Sequence, residues 1–160
     1  MSRFAALDLG RVVAAHGRHY LVESPEGERT ICHPRGKKSE AVVGDWVRWQ
    51  ATGDEGVIEH IEPRRNLLHR QDEWKTKSFA ANLDQVLVIV AGEPMFSASQ
   101  LARALIAADS AGIDAHVLLN KCDLLPHLDF DIEQAVAYAL RVNPELIVLR
   151  VSATSGEGMA

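Results

Sequence analysis

Asn120, Lys121 and Asp123, followed about 30 residues later by Ser152, Ala153 and Thr154, are residues whose types and spacing could do chemistry. One carboxylate can accept two adjacent N–H donors as a charge-assisted fork. The N1–H and exocyclic amine of guanine are such a pair, and Asp123 suits that edge. Asn120 offers a side-chain amide toward the N7/O6 edge and can brace a neighbouring loop. Lys121 can lay its methylene stem along a base or ribose while its ammonium stays in water. A backbone N–H near Ala153 can donate to O6, where adenine carries an amine instead. A mispaired base would leave the carboxylate unsatisfied, at a cost of about 1–3 kcal/mol.

Asn-Lys-x-Asp alone arises by chance; its position after an apolar run, with Ser-Ala-Thr after the next one, makes it specific. Val86-Leu87-Val88-Ile89-Val90-Ala91 is continuously apolar and predicts a strand covered on both faces. Ser97 is placed to cap a helix from about Ala98 to Ala111, closed by Gly112. Ala115 to Leu119 reads as a second strand. A helix opening at Asp129 or Asp131 runs to about Val142, and Leu146 to Val151 forms a third strand. The two aspartates read as first-turn acids favoured by the helix dipole rather than a catalytic pair. Strand–helix–strand–helix–strand implies right-handed crossovers and a parallel sheet. Ligands bind such sheets at the carboxyl ends of the strands, where both polar segments fall. Residues 83–160 are thus expected to form a partial three-layer α/β domain with three strands and two helices. A sheet this small predicts an open edge, exposed apolar surface and self-association.

Residues 1–62 follow a different pattern. Turn signals at His16-Gly17, Ser24-Pro25-Glu26-Gly27 and Gly53-Asp54-Glu55-Gly56 separate short apolar stretches. Asp45 to Ala51 alternates, with Val47, Trp49 and Ala51 on one face and Trp46 and Arg48 on the other. Short strands at roughly 8–12-residue spacing suggest a small β-barrel, and five of them fit the oligonucleotide-binding fold. Residues 63–82, polar, basic and without clear periodicity, read as a linker or an ordered connecting segment.

The chain of 160 residues is 47% hydrophobic and 24% charged, as globular proteins are. No apolar run approaches the ~20 residues of a membrane helix, and no secretory signal is evident, so a cytoplasmic protein is expected. Cys32 and Cys122 are far apart and the histidines lack ligand spacing, so no metal site is expected. The net charge of −5 conceals an asymmetry. Residues 1–78 hold 13 Lys/Arg against 12 Asp/Glu, and residues 79–160 hold 4 against 10. Nucleic-acid contacts therefore belong to the first part. Arg35, Lys37, Lys38, Arg64, Arg65, Lys75 and Lys77 are candidates for RNA phosphates, with Trp46 for base stacking beside Arg48. A phosphate-binding Gly-x-x-x-x-Gly-Lys-Ser/Thr is absent; the nearest look-alike, Arg35-Gly36-Lys37-Lys38-Ser39, has Ile31 where the first glycine belongs. No magnesium-holding Asp-x-x-Gly follows a strand. Phosphate positioning supplies most GTP affinity and catalysis, so this chain is expected to be inactive alone.

Residues 1 to about 117 resemble the ribosome small subunit-dependent GTPase A family, circularly permuted GTPases of bacterial small-subunit maturation. The resemblance rests on Pro34-Arg35-Gly36-Lys37-Lys38, Gly44-Asp45-Trp46-Val47, Arg64-Arg65-Asn66-Leu67-Leu68, Phe79-Ala80-Ala81-Asn82-Leu83-Asp84-Gln85-Val86 and Glu93-Pro94-Met95-Phe96-Ser97. It implies a barrel first, then base recognition before the phosphate loop, GTP or GDP as ligand, and the small ribosomal subunit with its 16S rRNA as partner. Magnesium and zinc sites of the family are not expected within this chain. Leu118 to Pro126, Arg141 to Glu145 and Ser152 to Met159 look closer to the hydrogenase nickel-incorporation accessory GTPase, which suggests nickel insertion as an alternative. A non-enzymatic RNA- or ribosome-binding module with a vestigial nucleotide domain is the other alternative.

Overall fold

The computed structural model describes residues 4–36, 40–71, 76–93 and 96–159. The chain divides into two compact units, Met1–Leu83 and Asp84–Ala160. Among the described residues, no helix is long and apolar enough to cross a membrane.

In the first unit, β1 (Asp8–His16), β2 (His19–Glu23), β3 (Arg29–Pro34), β4 (Trp46–Thr52) and β5 (Glu55–Ile61) close a barrel in the order β1-β2-β3-β5-β4. The β3–β5 pair is parallel and the other pairs are antiparallel. Val12, Tyr20, Val22, Cys32, Val47, Trp49 and Ile58 fill the interior. Two glycines make room for Trp49. A Cβ on Gly56 would lie 2.6 Å from both Cys32 Sγ and Trp49 Cε3, and one on Gly10 would overlap Val22. Val47 and Trp49 face inward as their alternation predicts; Ala51, on the same face, is exposed beyond the packed interior.

Of the two readings of residues 63–82, the structure has an ordered segment with a strand pair that the sequence did not predict. β6 (Leu67–Gln71) and β7 (Thr76–Ala81) form an antiparallel ribbon. A register shift between Leu68 and His69 breaks the two-residue period that would reveal a strand. The segment belongs to the first compact unit.

The second unit is a parallel sheet, order β10-β9-β8, built from β8 (Gln85–Val90), β9 (Asp114–Leu119) and β10 (Ile147–Arg150). Its helices are α1 (Ala98–Ser110) and α2 (Ile132–Val142). Ser97 and Asp131 cap them by accepting from the Gln100 and Gln134 amides. Gly112, at φ 64°, ends α1 in the left-handed region. Val88, Val90, Val117, Leu119 and Val148 pack with Leu101, Leu105 and Ala139 of the helices.

The apolar run of β8, which alone predicts cover on both faces, is covered on one, and its bare side is the exposed apolar surface expected of so small a sheet. Register places Leu87, His116 and Ile147 in one row, and Ile89, Leu118 and Leu149 in the next. Leu87, Ile89, Ile147 and Leu149 are 48%, 64%, 52% and 47% exposed. The run is apolar on both faces, as in sheets with helices on each side, but α1 and α2 pack on one of them.

Candidate functional site

The polar segment after β9 is shaped by backbone bonds to both neighbouring strands. Asn120 N donates to Val90 O (2.8 Å), Val151 N to Leu119 O (2.8 Å) and Cys122 N to Val151 O (3.2 Å). Lys121 takes a left-handed conformation at φ 60° and leads into a 3-10 helix, Cys122–His127. Asn120 Oδ1 accepts the Lys121 amide at 2.8 Å. Lys121 Nζ lies 3.4 Å from the Glu93 carbonyl. Cys122, between the polar residues, is buried and donates through Sγ to Leu119 O (3.0 Å).

The structure brings the two segments together. The Ser152 hydroxyl donates to Asp123 Oδ1 at 2.5 Å and accepts from Ser155 N at 3.1 Å. Ser152 is fully buried, whereas Ala153 and Thr154 are exposed. Ser152 N donates to Glu157 O, and Gly156 N to Ser152 O. Gly158, at φ 66°, closes the turn where a Cβ would fall on the Arg150 carbonyl. One oxygen of a half-buried carboxylate is thus engaged by a hydroxyl, and the backbone N–H groups beyond Ser152 sit on an accessible turn. A cavity of about 480 Å³ adjoins the segment, lined in part by Glu93, Ser97, Gln100, Asn120 and Lys121; Asp123 is not in its lining.

The candidate RNA contacts scatter over the first unit. Arg35 is ion-paired to Glu59 (2.5 Å) and Arg48 to Glu62 (2.6 Å). Arg64 pairs with both oxygens of the fully buried Asp45, and this hydrogen bonding raises its guanidinium above the usual value although burial lowers it. Arg65 donates to the carbonyls of Asn82 and Leu83. Lys37, Lys38 and Lys75 lie outside the described residues. Trp46 is 38% exposed, with Arg11 stacked 6.0 Å from its ring centre. Lys77 sits 5.7 Å from the ring of Phe79, which is 45% exposed. Arg11 and Phe79 are surface groups that the sequence reading missed. Strand pairing brings Arg11 opposite Trp46, and Phe79 shares a strand face with Lys77 at the two-residue period.

The model of the RsgA GTPase family matches residues 61–160. The match continues through Leu118 to Ala160, so nothing there calls for the nickel-accessory family. The chain is 68% identical over 115 residues to the small ribosomal subunit biogenesis GTPase RsgA of Variovorax paradoxus, covering 72% of this chain and 36% of that protein. It is 55% identical over 121 residues to the Ralstonia nicotianae protein of the same name, covering 75% and 38%. The crystal structure of YjeQ from Thermotoga maritima superposes with a TM-score of 0.64 at 29% identity, covering 95% of this chain and 54% of that one. YloQ, a circularly permuted GTPase, shares the fold with a TM-score of 0.60 at 24% identity, covering 96% and 54%. The chain therefore spans well under half of these curated relatives. A barrel followed by a sheet that carries Asn120–Asp123 before Ser152–Thr154, matched by this family model over 61–160, places the chain in the RsgA GTPase family.

Proposed function

We propose that this chain supplies the guanine-reading and RNA-contacting parts of a small-subunit biogenesis GTPase. The observation that carries the first part is the Asp123–Ser152 contact, which couples the two loops expected to hold the base. Asp123 accepts from N1–H and the exocyclic amine. Asn120 and Lys121 frame the base and ribose. Ser152 orients Asp123, and a backbone N–H of Ala153 or Thr154 donates to O6. GTP and GDP are the ligands. Among the described residues, no three His, Cys, Asp or Glu side chains converge. The interactions of this span with nucleotide are those of the base and ribose.

The RNA reading rests on the exposed pairs Arg11–Trp46 and Lys77–Phe79, each a cation beside an accessible ring. Such pairs stack bases and hold phosphates without sequence preference. Arg35, Arg48 and Arg64 serve mainly their carboxylate partners. The RNA is that of the small ribosomal subunit, which makes the protein cytoplasmic. The unpaired edge of β8 and the bare sheet face beside it give this span a tendency to self-associate.

Titration of the 160-residue chain with GDP tests the nucleotide reading. Weak binding that Asp123→Ala abolishes is expected. Micromolar or tighter affinity would sink the claim that phosphate contacts are lacking, and binding unaffected by Asp123→Ala would sink the base site. RNA affinity that does not fall with rising salt would sink the second part.

A further inference from the structure

An isolated two-stranded ribbon is marginal in water, so what holds β6–β7 in place decides where Lys77 and Phe79 point. The holding contacts converge on the segment before β4. Val43 and Ala80 form a lone parallel bridge, and Ala81 N donates to Val43 O at 2.9 Å. Gly44, at φ 91°, lies so close that a Cβ would fall on the Ala81 carbonyl. Asn82 takes φ 55°, donates through Nδ2 to Gly44 O (2.9 Å) and accepts from Arg65 N (2.8 Å). Asn66 holds Leu83 at both its amide and its carbonyl, 2.8 Å each. On the barrel side, Arg64 bonds both oxygens of Asp45 and the Glu40 carbonyl, which fixes the 40–45 segment. None of these groups is arranged to meet a ligand; each is spent on another.

We propose that Gly44, Asp45, Arg64 and Asn82 form a latch that positions the ribbon on the barrel, and that the latch sets RNA affinity by aiming Lys77 and Phe79 without itself touching RNA. This rests on the reading of those two residues as RNA contacts. They are positioning residues. Opening the latch leaves β1–β5 closed but releases the ribbon, so one phosphate contact and one stacking ring are lost together.

The test uses the whole chain and a fluorescein-labelled single-stranded RNA about 12 nucleotides long. Amide exchange at Ala81 reports whether the latch is open. Gly44→Ala is expected to speed that exchange, weaken RNA binding roughly ten-fold and reduce the salt slope by about one, as Lys77→Ala with Phe79→Ala does while exchange at Ala81 stays slow. Lowered stability alone would cut the active fraction and leave the slope unchanged. Asn82→Ala repeats the test should Gly44→Ala fail to fold. Fast exchange with wild-type RNA affinity, slow exchange in both variants, or weakened binding at an unchanged slope each overturns the latch. Wild-type binding by the Lys77/Phe79 variant overturns the ribbon's RNA role instead, and the latch's function with it.

Discussion

Arg64→Leu separates a structural arginine from a surface one by magnitude. In the native chain Arg64 Nε and an Nη donate to Asp45 at 2.7 and 2.8 Å, with the Asp45 side chain 0% and the Arg64 side chain 24% exposed. Removing the guanidinium leaves a buried carboxylate with one remaining partner, the Val42 amide at 2.8 Å. Breaking a buried pair from one side costs about 3–5 kcal/mol, a large part of the roughly 5–15 kcal/mol that holds a domain folded. With a urea dependence of about 1–3 kcal/mol per molar, the midpoint should fall by about 2 M. Tryptophan fluorescence in urea measures it, since Trp49 is buried in the barrel. Arg29→Ala is the control: its bond to Glu23 joins side chains 60% and 32% exposed, and such a pair is worth at most about 1 kcal/mol. Asp45→Leu combined with Arg64→Leu should recover part of the loss, because no charge is then stranded. Equal effects of Arg64→Leu and Arg29→Ala, or a double variant no better than Arg64→Leu, would refute the reasoning.

Three further outcomes are expected. The Cys32 thiol is pushed up to about 11 by burial and then by the charge of Glu55, against an ordinary value of 9.0. Between those values the unfolded chain has released a proton that the folded one keeps, so about 2–3 kcal/mol present below pH 9 is lost as pH rises toward 11. Urea midpoints across that window should fall less in Cys32→Ala than in the native chain; equal slopes would contradict the assignment. Gly56→Ala puts a methyl against Trp49 and Cys32 and should lower stability by about 1–3 kcal/mol, whereas Gly53→Ala meets no neighbouring atom and should cost only its φ of 69°. The native chain is expected to sediment with a concentration dependence that Leu87→Lys with Ile89→Lys abolishes; ideal monomeric sedimentation of the native chain, or association unchanged in the variant, would remove the bare sheet face as an association surface.

The sequence made the second unit legible because each of its signals is local. Ser97 and Asp131 are side-chain caps, Gly112 is a left-handed stop, and three apolar runs sit between them. The barrel was legible for similar reasons, through turn glycines and the alternation around Trp49. The ribbon was not, because the bulge at Leu68/His69 scrambles its period and its anchors are distant in sequence: Asn82 with Gly44, Arg64 with Asp45. Asn120, Asp123 and Ser152 could be grouped from residue types together with their position after successive apolar runs. The hydroxyl bond between Asp123 and Ser152 needs the parallel register of β9 and β10, which spacing only suggests. That the sheet would expose apolar surface was legible from its size, but which face of β8 is bare was not, because an apolar run looks the same whether one face or both are covered.

Composition also misleads about how the first unit would meet a polyanion under the proposed RNA role. Four of its arginines, Arg29, Arg35, Arg48 and Arg64, are paired with carboxylates on neighbouring strands or turns. Their charge is cancelled within a few ångströms, and little of it reaches past a screening length of about 8–10 Å. Arg18 bonds a carbonyl, that of Gly36, and Arg11 and Lys77 lie over rings, so these three keep their field. Counterion release scales with phosphates neutralised, at about 0.7 per contact on single strands. Under the proposed RNA role, the cations that would matter are therefore those set beside Trp46 and Phe79, where charge and stacking surface coincide, and the basic count of the unit is a poor guide to that role.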